Sequence, residues 1–327
     1  MHTMNGAGLN LLALLPCPVK VPFEEAFEGF LASLEPNRAA AFKCCLEGNA
    51  NIESEYYSTL EHITELSNLP DIVISPGFNS FFEPAFVSRF IQNGQFSSVN
   101  KFVRDKHLSK LGVCDPSGHY TILAMNLLVP VCDHKRLGNR PVPRSWADLL
   151  SPEYTSSIAI RGHKDGTFCE TLLMTIFKDT GFEGLRSLGR NVQYGWHPSQ
   201  MVNAALGNST DAPAISVMPL FFAQNLLGKE QYSIVWPEDG ALISPVTMLV
   251  KTEKLCELED LITFLAGPQI AAIFAGAFFP AVHPEVDNQL PEDATFKWIG
   301  WDYVTGQDIK QLIATANYAF RCGRGES

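Results

Sequence analysis

Short apolar runs alternate with helical patterns along the whole chain. Residues 9–15, 71–75, 122–131, 157–160, 214–218, 233–236 and 247–250 are strand-length stretches of mainly apolar, often β-branched residues, which predicts buried strands. Between the first two runs lies a helix pattern. Pro22 stands in its first turn, Phe23, Phe27, Phe30, Leu31 and Leu34 share one face, Glu24, Glu25 and Glu28 suit its start, and Pro36 marks its end. A second helix is predicted over 54–66 with Tyr57, Leu60 and Ile63 inward. Further helices are predicted over 167–179, through Leu258, Leu261, Ile262 and Leu265 before Gly267-Pro268, and through Ile309, Leu312, Ile313 and Ala316. Strands interleaved with helices predict an α/β fold of mostly parallel sheets with flanking helices.

The length of 327 residues is enough for two domains. With 46% hydrophobic and 18% charged residues, the chain has ample material for a packed core, which excludes overall disorder. No linker rich in Gly and Ser interrupts it, so the chain is expected to cross between domains on short ordered strands. Residues 113–245 hold 10 basic and 12 acidic side chains against 14 and 23 in the flanks, so the middle is the more neutral part. The simplest division is a central lobe, 113–245, inserted between flanks 1–112 and 246–327 that fold together.

A net charge of −11 argues against a nucleic-acid partner, because neutralising phosphates needs a basic face. The run 9–15 is about half the length that crosses a bilayer, so membrane insertion is not expected. No Lys or Arg precedes that run, and no small-residue cleavage site follows it, so it does not read as a secretory signal. Eight cysteines without a C-x-x-C pair or zinc-ribbon spacing give no metal site and suit a reducing compartment. As supplied, the chain reads as cytoplasmic, or as periplasmic or extracellular if an export signal was removed. Cys44 and Cys45 are read as small buried residues on one strand.

Specific residues add a resemblance. Ile122-Leu-Ala-Met-Asn-Leu-Leu-Val-Pro-Val131, followed by Pro143-Arg-Ser-Trp-Ala-Asp-Leu-Leu-Ser-Pro-Glu-Tyr154, resembles the interdomain crossover and W-x-D-L-L segment of type II periplasmic binding proteins. Ser157-Ile-Ala-Ile160, Ala214-Ile-Ser-Val-Met-Pro219, Ile234-Val-Trp-Pro-Glu-Asp-Gly240 and Ile262-Thr-Phe-Leu-Ala-Gly-Pro-Gln269 continue the match in order. These proteins are the solute receptors of ABC importers, and the branch resembled serves ferric iron, thiamine, polyamines and related solutes. The resemblance implies a two-lobed type II periplasmic-binding-protein fold hinged by crossover strands, with solute held between closing lobes. It also implies a monomer whose partners are a small-molecule solute and an ABC permease.

In open α/β sheets, ligands lie beyond the carboxyl ends of strands, beside helix N-termini. That rule selects Cys17 and Lys20 after the first strand, and Ser75, Phe78 and Asn79 after the second, where hydroxyl and amide groups adjoin aromatic surface. Phe81 and Phe82 are read as packing. In the central segment it selects the basic loop Arg161-Gly-His-Lys-Asp-Gly-Thr167, with His163 and Thr167 as ligand candidates. Thr167 is expected to cap the following helix, and the loop's positive charge suits an anion. Trp196 and His197 beside Tyr194 offer stacking. The alternatives of a solvated turn for 161–167 and a core role for Trp196 stay open.

Ferric members of the resembled family carry adjacent tyrosines after the strand matching 214–218. Phe221 and Phe222 stand here. A phenyl ring offers no oxygen, so iron held through this pair is excluded, and Phe221 becomes an apolar ligand candidate. Tyr56-Tyr57 fit core packing instead. No cofactor is expected. Two other functions compete with the importer receptor: a cytosolic solute sensor or carrier on the same fold, and an enzyme using Cys17 or Cys169 with His163 or His197, for which no local signature exists.

Overall fold

Each apolar run becomes a strand, and each helical pattern a helix packed on a sheet. The computed structural model describes residues 6–99, 108–162, 166–207 and 209–326, with backbone only for 50–55. The strands are β1 (Leu11–Leu15), β2 (Cys44–Gly48), β3 (Ile72–Pro76), β4 (Thr121–Asp133), β5 (Ile158–Ile160), β6 (Val192–Gly195), β7 (Ile215–Pro219), β8 (Tyr232–Ile234), β9 (Ala241–Val250) and β10 (Phe296–Trp298). The principal helices are α1 (Cys17–Ser33), α2 (Asn49–Leu60), α3 (Glu170–Asn191), α4 (Pro198–Leu206), α5 (Glu259–Leu265), α6 (Pro268–Gly276) and α7 (Ile309–Arg324).

By backbone contacts the chain divides into two units. The first comprises Met1–Asn126, Ser244–Leu290 and Gly300–Ile309, and the second Leu127–Ile243, Pro291–Ile299 and Lys310–Ser327. The division falls inside β4 and β9, so the chain passes from unit to unit along strands. The sequence assigned 246–327 as a whole to the flanking lobe and began the central one at 113. Contacts instead place Pro291–Ile299 and α7 from Lys310 with the second unit, and 113–126 with the first.

In the first unit the strand order is β2-β1-β3-β9, with β1 parallel to β2 and β3, and β3 antiparallel to β9. Leu11–Leu15 is buried throughout, as its continuous apolar run requires of a strand covered on both faces. Helix α1 buries Val19, Phe23 and Phe27, and its Phe30 stacks on Phe264 of α5 at 4.5 Å. It begins at Cys17, ahead of the predicted first turn at Pro22. Pro18 occupies that first turn, where a missing N–H costs nothing, and Pro22 lies inside the helix. Helix α2 likewise starts earlier than predicted; Tyr56, Tyr57 and Leu60 are buried, whereas Ile63 lies beyond its end and is only half-buried.

At the end of this sheet a largely buried ion pair joins the residue after β9 to the residue before β3. Lys251 Nζ donates to Asp71 Oδ1 at 3.0 Å and to the Leu69 carbonyl at 2.8 Å, while Asn10 donates to Asp71 Oδ2 at 3.0 Å. Tyr120 stacks on Phe82 at 4.9 Å, and Trp301 donates its indole N–H to the Val113 carbonyl at 2.9 Å, which ties 113–126 to this unit. Cys44 and Cys45 do lie on a strand, but β2 is the sheet edge and both are half-buried rather than buried.

In the second unit the order is β4-β7-β5-β6, with β5 parallel to β6 and β7, and β4 antiparallel to β7. β8 pairs with β4, and β10 with Ala241–Ile243. Its core gathers Trp146, Leu149, Tyr154, Ile158, Leu172, Leu188 and, from α7, Ala316, Ala319 and Phe320. The docking of α7 explains why the C-terminal helix belongs here. A Cβ on Gly323 would lie 2.1 Å from the Arg186 carbonyl oxygen, and one on Gly189 2.2 Å from that of Phe320, so α3 and α7 approach backbone to backbone. Gly323→Ala should therefore lower stability by about 1–3 kcal/mol through overpacking, read from the urea midpoint at constant m-value. An unchanged midpoint would contradict this close approach.

Candidate functional site

Because β6 and β7 both run parallel to β5, the carboxyl ends of all three strands lie on one edge of the second unit's sheet. The segments that follow Ile160, Gly195 and Pro219 leave from that edge, where α/β sheets place their ligands. Two of these segments touch through backbone. Trp196 N–H donates to the Ile160 carbonyl at 2.9 Å and Gly162 N–H to the Trp196 carbonyl at 3.3 Å. A Cβ on Gly162 would sit 2.8 Å from the Gly195 Cα, so only glycine permits this approach.

The basic loop departs from its predicted form. Helix α3 begins at Glu170 with Cys169 as its N-cap, so Thr167 does not cap it and stands half-buried two residues earlier. The backbone of Phe168 donates to Asn317 Oδ1 at 2.8 Å and that of Cys169 to the Arg161 carbonyl at 3.0 Å, so two amides near the helix start are already engaged. His163 and Lys164 lie outside the described residues.

The other two segments gather aromatic rings. Tyr194 and Trp196, two apart along β6 and its extension, share a face and stack at 4.1 Å with planes 10° apart. His197 starts α4 as its N-cap in a capping box: its Nδ1 accepts from Ser199 N–H at 3.2 Å, and Gln200 Oε1 accepts from His197 N–H at 2.9 Å. Nδ1 also lies 2.8 Å from the Ser199 hydroxyl. The His197 ring meets Phe222 edge-on at 5.9 Å, and Phe222 meets Phe221 edge-on at 5.3 Å. Asn225 donates to the carbonyls of Phe221 and Phe222, each at 3.2 Å, fixing the short helix Leu220–Ala223. Trp196, Tyr194, Phe221 and Phe222 are half-buried and His197 exposed, so Trp196 does not close the core.

In the first unit the predicted residues form two clusters. Cys17 is exposed at the first position of α1. Lys20 sits 3.5 Å from both Glu24 and Glu47; burial lowers its pKa, but the two carboxylates outweigh that and leave it raised. Ser75 is 1% exposed, with its hydroxyl 3.5 Å from that of Thr247 and accepting from Asn79 Nδ2 at 3.1 Å. Asn79 also reaches the Tyr57 hydroxyl at 3.4 Å, which donates to Asn49 Oδ1 at 2.9 Å, and its own Oδ1 caps the turn at Phe81. Phe78 is buried, edge-on to Phe82 at 5.7 Å. Ser75 and Phe78 thus shape the loop from beneath. Tyr57 and Thr247 entered this network without a sequence signal, since both lie far from Asn79 along the chain.

Chemically these loops present rings, amides and hydroxyls. Phe221 and Phe222 supply no oxygen donor, and among the described residues no group of three or more His, Cys, Asp or Glu side chains could hold a metal ion. Cys169 is buried, which pushes its thiol up to about 12. No described helix is long and apolar enough to cross a membrane.

Comparison with known proteins fits this architecture. Residues 67–306 match the family model described as bacterial extracellular solute-binding protein. Among solved structures, an ABC transporter protein from Clostridium perfringens superposes with a TM-score of 0.64 at 18% identity, covering 95% of this chain and 99% of that one. A Trichodesmium protein, IdiA or FutA, in complex with iron and citrate, gives 0.64 at 13% identity, covering 98% and 99%. The periplasmic binding protein AfuA from Actinobacillus pleuropneumoniae, with fructose-6-phosphate bound, gives 0.65 at 14% identity, covering 96% and 99%. No curated protein matches the chain. The chain belongs to the bacterial extracellular solute-binding protein family, with the mixed α/β, two-unit fold of periplasmic binding proteins. It is a solute-binding protein, and its family is one of binding proteins rather than enzymes.

The thiols give a direct test of the site's chemistry. With its pKa raised, Cys169 stays protonated at pH 8, so iodoacetamide should label exposed Cys17 and Cys256 in the folded protein well before Cys169. Peptide mapping that finds Cys169 alkylated as fast as Cys17 would contradict the burial.

Proposed function

We propose that this receptor captures a small organic solute or an oxyanion and presents it, as a monomer, to an ABC permease. The observation that carries the ligand class is the Phe221–Phe222 pair after β7. The resembled ferric receptors place adjacent tyrosines there, whereas two phenyl rings favour contact with carbon and exclude coordination of bare ferric ion. The iron–citrate and fructose-6-phosphate complexes of two similarly folded proteins support the wider choice, because one architecture there serves unlike cargoes.

The proposed contacts are Cys17, Lys20, Ser75, Phe78, Asn79, His163, Thr167, Trp196, His197 and Phe221. Cys17 and His197 are exposed, Lys20, Asn79, Thr167, Trp196 and Phe221 are half-buried, and Ser75 and Phe78 act from below. An enzyme reading is disfavoured by the burial of Cys169, which keeps its thiol protonated, and by the family, whose members are binding proteins.

Native mass spectrometry of the purified protein should reveal a carried solute, and a thermal-shift panel should rank candidates. A solute at about a hundred times its dissociation constant adds roughly 2.7 kcal/mol of stability, a clear rise in melting temperature. Stabilisation by ferric ion alone, with no effect from any organic or oxyanion solute, would overturn the proposed class.

A further inference from the structure

The ring-bearing edge of the second unit supports a narrower conclusion, which rests on the receptor reading above. We infer that the solute carries a flat conjugated ring, heteroaromatic or aromatic, recognised by stacking on Trp196 and edge contact with Phe221 and Phe222.

Three observations converge. First, Trp196 and Tyr194 are already stacked at 4.1 Å and 10°, so a third flat ring extends an existing stack without rearranging a side chain. The nearby phenyl rings stand mutually perpendicular, at 89°, which is the geometry that meets the edge of a planar guest. Second, these are large apolar groups left half-open at a strand-end edge, and a soluble protein seldom leaves such rings in water without a use for them. Third, polar groups around the rings, in the segments after β6 and β7, are engaged with one another. The Ser199 amide and hydroxyl meet His197 Nδ1, Gln200 accepts from the His197 backbone, and Asn225 holds the carbonyls of the phenylalanine pair. They fix the rings in place and leave the ring faces as the open surface of these two segments. Arg161 is the one charged residue among described positions 161–162, 166–169, 194–200 and 219–225.

The test uses the intact chain and matched probes: benzoate against cyclohexanecarboxylate, nicotinamide against its saturated piperidine counterpart, and phosphate, fructose 6-phosphate and ferric citrate as non-planar controls. Each is added at millimolar concentration in thermal-shift and calorimetric titrations of the unmodified protein, Trp196→Ala and Trp196→Phe. Native mass spectrometry identifies any solute carried from expression. Unfolding curves and near-ultraviolet dichroism confirm that both variants fold.

The expected result is that a flat probe, or a carried solute with a conjugated ring, binds, while its saturated partner does not. Trp196→Ala should then weaken binding about tenfold to a hundredfold, and Trp196→Phe should retain it within a few-fold. Binding confined to the sugar phosphate, phosphate, ferric citrate or a saturated ring would overturn the inference and leave the receptor reading standing. So would binding of a flat ring that is indifferent to Trp196→Ala. If no probe of any class binds and the protein carries nothing, the inference and the receptor reading fall together.

Discussion

Parallel pairing of β5 with β6 and β7 is the constraint from which the site follows. Three strands running the same way end on the same edge, so the chain must leave them through three neighbouring segments, whatever residues those contain. The sequence then decides what that edge offers. Glycines at 162 and 195 let two of the segments touch through their backbones, β6 continues into a Tyr–Gly–Trp run that stacks two rings, and β7 ends in Pro219 before a phenylalanine pair. A strand order with β6 reversed would scatter the same residues to opposite ends of the sheet.

The rest of the second unit serves to hold that edge still. Helix α7 returns to α3 through a pair of close glycine contacts and inserts Phe320 against Phe168, with ring centroids 4.6 Å apart. Phe168 in turn lies where a Cβ on Gly195 would be, and Asn317 of α7 takes its backbone N–H. The last helix of the chain therefore braces the loop that precedes α3. In the first unit a comparable bracing is polar: Asn49, Tyr57, Asn79, Ser75 and Thr247 form one connected chain of hydrogen bonds beneath the Ser75–Asn79 turn. A fully satisfied network of this kind fixes a loop more firmly than its separate bonds would.

Much of the fold was legible because buried strands and amphipathic helices leave periodic traces. The apolar runs at 9–15, 71–75, 122–131, 157–160 and 214–218 all correspond to strands within a few residues. What the sequence hid has physical reasons. β6 and β10 are four and three residues long, too short to show alternation, and β6 mixes Gln193 and Gly195 into its pattern. The start of α1 was misplaced because two prolines, Pro18 and Pro22, compete as first-turn signals. The membership of α7 in the second unit depends on contacts between residues more than a hundred positions apart, which no local pattern encodes. Within the site, the ring residues were visible as a cluster of aromatic letters, but their stacking and the internal use of Ser75 and Asn79 are tertiary facts. Gly-Thr before a helical run has the pattern of a cap, yet the helix starts later because Phe168 turns into the core, leaving Cys169 at the cap.

The central claim is that the edge shared by β5, β6 and β7 is where this receptor meets its cargo. A crystal structure of the protein loaded with its own co-purified solute tests it most directly. The account predicts electron density for the solute within contact distance of Trp196 and of Phe221 or Phe222. Density for the solute with all three of those rings left in contact only with water or with other protein side chains would contradict it.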